Sequence, residues 1–467
     1  MERFFREIRV DAELGMRVPA RVVADGRLWE QIDRDRSIQQ LKNVATLPGV
    51  ETAVFAMPDV HEGYGFPIGG VAAMRFSDGV ISPGGVGYDI NCGVRLLASG
   101  IDVDEARPQI EAITHDISRS VPAGTGRGGR LVLSDRDVEK VLAEGCRYLI
   151  GLGMATEDDI RMTEAGGCLG EAEPSKVSQR ARQRGQDQLG TLGSGNHFVE
   201  VQFVDEIFDP EAAKAFGLAE GRVAVLIHTG SRGLGHQVCV DYVSRMDKAM
   251  ARYGIHVPDR ELACAPIDSP EAKDYFGAMC ASANFAWANR QAISHAVREV
   301  FRRHLGRQGE LDLVYDVAHN IAKAETYEGR RLLVHRKGAT RAFGPSNPET
   351  PERYRGVGQP VLIPGSMGTA SYVLAGTDAA AGFSFASACH GAGRAMSRGA
   401  AKRATTGADV RRELERRGIV VRCPSPSGLA EEAPIAYKDV DRVVDVVVGA
   451  GIARKVARLR PLGVVKG

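Results

Sequence analysis

The 467 residues are 43% hydrophobic and 25% charged, a globular balance that excludes intrinsic disorder. Sixty basic side chains against 59 acidic ones leave a net charge of +1, which excludes the strongly basic class of nucleic-acid binder, so any such contact must be local. No stretch nears ~20 uninterrupted apolar residues, MERFFREIRVDAELG lacks the apolar core of a signal peptide, and the eight scattered cysteines contain no CxxC pair, so the expectation is a cytoplasmic protein with no membrane span and no disulfide framework.

In chain order, Ser134 to Asp137 reads as a capping box ahead of the helix VEKVLAEG. Val223 to Ile227 is an apolar, β-branched run and reads as a strand ending at His228. Asp241 to Tyr253 has helical apolar spacing and stops at Gly254. Ser269-Pro270 reads as the N-cap and first position of a long helix ending at Gly306. Leu311 to Val317, Leu332 to His335 and Val361 to Ile363 read as further strands, and the four prolines between Pro345 and Pro360 exclude regular structure there. Strands and helices alternate irregularly and no linker, repeat or low-complexity tract interrupts them. The expected fold class is α+β with mixed sheets, in one large domain spanning 1–467.

Common catalytic signatures are absent: no Gly-Lys-Ser/Thr phosphate loop, no HExxH, no GxSxG and no Lys-x-Asp-Gly. Gly124 to Gly129 matches GxGxxG, but no clear strand precedes it and no helix opens after it, so it reads as a basic loop. Basic clusters at Arg180, Arg182 and Arg184, at Arg394, Arg398, Lys402 and Arg403, and at Arg454, Lys455, Arg458 and Arg460 read first as solvated helix faces.

The 55 glycines exceed the usual ~7% and gather around His, Asn, Cys and Arg, where backbone can approach a ligand closely. Among them stand Asp89, Cys92, His197, His228 and His319, donor types suited to divalent ions. Asp89 and Cys92 are three apart, so one turn can aim both at one centre, and a thiolate can bridge two ions. Taken one at a time, a lone Cys is more often a small buried hydrophobe and a lone His a structural group. The thiolate and imidazoles also suit Zn²⁺. His390 is flanked by Gly391 and Gly393, with an alanine-rich helix expected after it. Neutral imidazole is a competent nucleophile, and Arg394 could offset charge developing on phosphorus. A helix-capping His is the plain alternative at that position.

These segments together closely resemble the RtcB family of tRNA-splicing RNA ligases. The strings are MPDVHEGYGFPIGG (57–70), GYDINCGVR (87–95), LGSGNHFVE (192–200), HTGSRGLGHQ (228–237), ANFAWANRQ (283–291), YDVAHN (315–320), HRKGATRA (335–342), LIPGSMGTASYVL (362–374), HGAGR (390–394) and ARLRPLGVVKG (457–467). The resemblance implies the family's own α+β fold with a dinuclear metal site in a central cleft. It implies two Mn²⁺ ions bridged by Cys92, with Asp89 and His197 completing one site and His228 and His319 the other. His390 would attack GTP and carry GMP. Asn196 would touch phosphate. Glu200, Ser366, Ser371, Tyr437 and Lys466 would contact guanine, and Gly391, Ala392, Gly393 and Arg394 would line the GTP site. Arg184 and Arg232 would be RNA or phosphate contacts. The implied partners are RNA with 3′-phosphate and 5′-hydroxyl ends, and an archease-type activator. The rival readings are a dinuclear metal phosphoesterase, which gives His390, Ser366 and Lys466 no role, and a non-catalytic RNA-binding scaffold.

Overall fold

Strands buried along nearly their whole length pair into two large sheets, and helices cover them. The computed structural model describes residues 4–467. One sheet has six strands, in the order Phe5–Ile8, Ala20–Val23, Val54–His61, Ile68–Arg75, Arg330–Lys337 and Asn320–Tyr327. The other runs Leu311–Ala318, Gly93–Asp102, Arg222–Thr229, Phe198–Ile207, Ala453–Lys466, Ser371–Gly376 and Pro360–Ile363, with Val420–Arg422 added beside the Ala453–Lys466 strand. Pairing is antiparallel except for Ala20–Val23 on Val54–His61 and Val420–Arg422 on Ala453–Lys466. The fold is α+β with several sheets, as the sequence leads one to expect.

Helix Pro270–Leu305 is the central support. Ser269 caps it, accepting from Ala272 N at 3.2 Å, and Gly306 ends it at φ +60° and ψ −146°, a backbone conformation that favours glycine. Tyr275, Phe285, Trp287 and Arg290 are all fully buried along it, so its middle is enclosed on every side and its buried polar groups need partners. The Ser134 capping box heads helix Asp135–Glu144. The expected helix 241–253 begins earlier, at Arg232, and runs to Ala249 before a 3-10 turn to Tyr253 and a left-handed Gly254. Its first turn is glycine-rich, which hid it in the sequence. The four expected strands are present with one or two residues added at their ends. Residues 345–360 hold only one short 3-10 turn, Glu352–Tyr354.

Two expectations are corrected. The basic run Arg454 to Arg460 lies on a strand, not a helix, and its charges are met by Asp209, Asp445, Asp205 and Glu206. His390 is not at a helix N-terminus. It follows strand Ser387–Cys389, and the next helix opens only at Arg398, capped by Ser397. Gly393, at φ +75°, turns the chain between them. Among the described residues no helix is long and apolar enough to cross a membrane.

Candidate metal centre and nucleotide cavity

Register brings the five donor residues to one end of the larger sheet. Gly93 pairs with Thr229 and with Ala318, and Phe198 pairs with His228 and with Lys466. Cys92, His197, His228, His319 and Lys466 therefore emerge together from five adjacent strands. Asp89 joins them through a turn closed by Cys92 N donating to Asp89 O at 2.9 Å, with Asn91 at φ +51°. His319 N also donates to Cys92 O at 2.9 Å, fixing the two donors relative to one another.

Two donor sets share Cys92. One is Asp89, Cys92 and His197; the other is Cys92, His228 and His319. Within each, the ligand atoms lie within 4.8 Å of one another. Cys92 Sγ is 3.5 Å from His197 Nε2 and 3.3 Å from His228 Nε2. His228 and His319 bring their Nε2 atoms to 3.3 Å, and His197 Nε2 stands 2.9 Å from Asp89 Oδ2. Burial, together with the surrounding imidazoles, holds His228 and His319 well below the usual histidine range, so both are neutral with a lone pair to offer. Burial and the Asp89 charge push the Cys92 thiol well up, so a bound cation is what would draw off its proton. His197 Nδ1 faces Leu192 O at 3.0 Å, which leaves Nε2 as the ligating atom. His319 Nδ1 is buried without a hydrogen-bond partner. Each set could hold a divalent cation, with Cys92 common to both.

The support under this centre is a buried ionic lattice that motif reading left without a role. Asp316 accepts from Arg290 Nε and Nη2 at 2.8 Å each and from Arg95 Nε at 2.7 Å. All three are fully buried. Arg290 Nη1 also donates to Asn91 O at 2.7 Å and Thr229 O at 2.9 Å, gripping the residues beside Cys92 and His228. Gly93 must be glycine, because a Cβ there would lie 2.5 Å from the backbone oxygen of Val317 and 2.9 Å from the Arg290 guanidinium carbon. Asn289 ties Gly190, Thr191 and Gly230 together in the same manner.

His390 faces the metal donors, its ring centroid 4.7 Å from that of His319. Its Nδ1 stands 2.6 Å from Asp59 Oδ2, a close contact without hydrogen-bond alignment, and its backbone N donates to the same oxygen at 3.1 Å. Asp59 is fully buried. With Nδ1 committed to Asp59, Nε2 is the nitrogen left to act. Gly393 brings the chain against Asp59, where a Cβ would lie 2.2 Å from Asp59 O. Buried Lys438 donates to Pro58 O at 3.2 Å and to Val60 O, holding the Asp59 strand; burial pushes its ammonium down to about 8.

A cavity of about 380 Å³ opens over both groups. Its walls include Asp89, Cys92, His228, His319 and His390. Asn196, Glu200, Ser366, Tyr437 and Lys466 also line it, as do Gly391 to Arg394. His197 and Ser371 lie just behind the surface; Ser371 Oγ accepts from Gln202 Nε2 at 3.0 Å and from Gly365 N at 3.3 Å. Burial pushes the Glu200 carboxyl up to about 8, although Gln202 and Lys466 pull it down. Burial works against ionisation of Glu432 too, but Lys466, Tyr437 and Arg394 prevail and keep it below the usual carboxylate range. Arg394 Nη1 donates to Glu432 Oε1 at 3.1 Å and its guanidinium lies 5.2 Å from the Tyr437 ring centre. Lys466 is held by strand pairing to Phe198, and Gly467 N donates to His197 O at 3.1 Å, so this strand end is ordered.

Two positions stand apart from the cavity. Arg232, at φ +56°, turns inward with Nη1 3.2 Å from His197 Nδ1, in space left open by Gly193. Arg184 remains at the surface and donates to Gln237 at 3.1 Å. The loop 124–129 is likewise no dinucleotide turn, since no helix opens until Asp135.

The family model described as tRNA-splicing ligase RtcB matches residues 40–467. The chain is 55% identical over 460 residues to the tRNA-splicing ligase RtcB of Archaeoglobus fulgidus, covering 97% of this chain and 95% of that protein. It is 55% identical over 459 residues to the protein of the same name from Thermococcus kodakarensis, again 97% and 95%. It is 54% identical over 435 residues to the RNA-splicing ligase RtcB of Mycobacterium tuberculosis, covering 92% of this chain and all of that protein. The chain belongs to the tRNA-splicing ligase RtcB family.

Proposed function

We propose that this protein is an RNA ligase, with residues 1–467 acting as one unit, and that it joins a 3′-phosphate end to a 5′-hydroxyl end at the expense of GTP. The observation that carries the reading is His390: an imidazole with Nδ1 against a buried carboxylate, its ring 4.7 Å from a metal-donor imidazole, in the cavity that also holds Glu200 and Lys466. A phosphoesterase would need the donors but not this nucleophile. A binding scaffold would need neither.

Asp89, Cys92, His197, His228 and His319 would hold two Mn²⁺ ions, which when bound neutralise phosphate charge and support the leaving oxygens. His390 Nε2 attacks the α-phosphorus of GTP; the N–P bond forms, the bond to the β-phosphate oxygen breaks, and pyrophosphate leaves. Asp59 holds Nδ1 and offsets the positive ring charge of the adduct. Asn196 and Arg394 meet phosphate, and Glu200, Ser366, Ser371, Tyr437 and Lys466 orient guanine. An oxygen of the RNA 3′-phosphate then displaces His390 and takes the GMP group. The 5′-hydroxyl attacks that activated phosphate, the phosphodiester forms and GMP leaves. A 2′,3′-cyclic phosphate end is first hydrolysed to the 3′-phosphate. An archease-type activator would serve repeated turnover, in tRNA splicing or RNA repair.

The test is a ligation assay with one strand ending in 3′-phosphate and another beginning with 5′-hydroxyl, supplied with GTP, Mn²⁺ and archease. The expected result is a joined strand with one GMP released per junction. Joining without GTP would overturn the GTP-dependent step, and hydrolysis of the 3′-phosphate alone would overturn the reading in favour of the phosphoesterase.

A further inference from the structure

The cavity has a further wall to which the proposed chemistry gives no task, and that wall is aromatic. Tyr64 and Tyr88 both line it, their ring centroids 5.1 Å apart and edge to face at 70°. Tyr88 in turn lies 5.0 Å from His236 with the rings only 31° apart. Tyr64 and Tyr88 are half-buried, whereas His236 is exposed on the helix that begins at Arg232. The row thus starts beside Asp89, the chain neighbour of Tyr88, and runs out to the surface.

The backbone beneath these rings is fixed. Lys337, itself buried, donates through Nζ to Tyr64 O and, at 3.0 Å, to Phe66 O. Gly65 N donates to Glu261 Oε2 at 2.8 Å. Gly87 sits at φ +97°, with Lys337 3.5 Å from the position of a Cβ. A platform already ordered loses little entropy when a ligand settles on it. Positive charge stands at its outer end: exposed Arg184 packs against Gly233, its Nε 3.2 Å from where a Cβ would be, and its charge helps burial to lower the His236 pKa. Glu200, Glu432 and Lys466 also line the cavity, polar groups of different character.

Ring faces beside a guanidinium are the means by which proteins hold unpaired nucleotides, since every base has a π face and the cation meets the backbone. We infer that the Tyr64–Tyr88–His236 ledge seats the terminal base of an RNA strand whose end reacts at His390. The inference rests on the ligase reading above. The base could belong to the strand bearing the 3′-phosphate or to the strand bearing the 5′-hydroxyl, and the test separates the two.

The experiment is a binding cycle on the full chain with Mn²⁺ present and GTP withheld. The probes are short single-stranded RNAs, one set with a 3′-phosphate and one with a 5′-hydroxyl, each with its terminal nucleotide either intact or abasic. The proteins are the parent, Tyr88→Leu, Tyr88→Phe and, at the exposed position, His236→Ala. For one of the two strands, removing the terminal base is expected to weaken parent binding roughly 5- to 150-fold, with Tyr88→Phe behaving like the parent. In Tyr88→Leu the same removal has little further effect, because base and ring are no longer independent; His236→Ala lies between. Which strand responds identifies the source of the base. An equal loss in parent, Tyr88→Leu and His236→Ala for both strands overturns the ledge. A parent that binds GMP covalently but shows this additive pattern sinks the ledge alone, whereas a parent that never forms the adduct sinks the ligase reading first.

Discussion

His390 Nδ1 lies 2.6 Å from Asp59 Oδ2, and the same carboxylate oxygen accepts the His390 backbone N–H at 3.1 Å. One buried oxygen therefore fixes both the ring and the chain of this residue. Asp59→Asn keeps the shape but removes the charge that offsets a cationic ring. Self-guanylylation in a single turnover is expected to slow by about 10-fold or more. An unchanged rate would show that Asp59 merely packs the strand.

The shared thiol is expected to make the two proposed metal sites unequal in their response to substitution. Cys92 belongs to both donor sets and His197 to one. By metal analysis of dialysed protein, the parent is expected to hold two Mn²⁺, His197→Ala to retain about one, and Cys92→Ala to lose most of both. Zn²⁺ is expected to enter the same site, since thiolate and imidazole suit it, and to leave the protein inactive. Equal losses in the two variants would contradict the bridging arrangement.

The lattice under the centre carries stability as well as geometry. Asp316→Ala strands Arg95 and Arg290 as buried charges and is expected to cost roughly 3–5 kcal/mol in denaturant unfolding. Asp445→Ala, which removes an exposed partner of Lys455, should cost less than about 1 kcal/mol. Similar costs for the two would mean that Asp316 is not the counter-charge it is argued to be.

Much of this site was legible in the sequence because its donors sit in glycine-rich strings that end strands. Strands legible by β-branched runs placed His228 and His319 correctly at their tips. The Pro270–Leu305 helix was legible from its Ser-Pro start and Gly stop. Its role was not, since nothing in ANFAWANRQ says that Arg290 reaches the backbone of residues 91 and 229. Asp59 was equally hidden: it lies 331 positions before His390, and only the packing of strand Val54–His61 against Ser387–Cys389 and Gly393 brings them together. Helix Arg232–Ala249 began unseen because three glycines near its start resemble a loop.

Glu200 gives a pH dependence with a definite sign. Its folded-state pKa of about 8 lies above the ordinary 4.5, so the folded chain holds the proton more tightly than the unfolded one. Its contribution to stability is thus greatest at low pH, falls as pH rises through that window, and levels off above about 8. Glu200→Gln removes the titration. Relative to the parent, the variant should gain about 3 kcal/mol between pH 5.5 and pH 8.5, read from urea midpoints at both pH values. A constant difference would place the Glu200 pKa near its ordinary value.

The central claim is that His390 carries GMP. The direct measurement is incubation with α-labelled GTP and Mn²⁺, followed by a denaturing gel and acid treatment, for the parent and for His390→Ala. The account predicts an acid-labile, base-stable label on the parent, mapped to the peptide containing His390, and none on the variant. No label on freshly purified, Mn²⁺-loaded parent supplied with archease and free of prior GMP, or an equal label on His390→Ala, would contradict it.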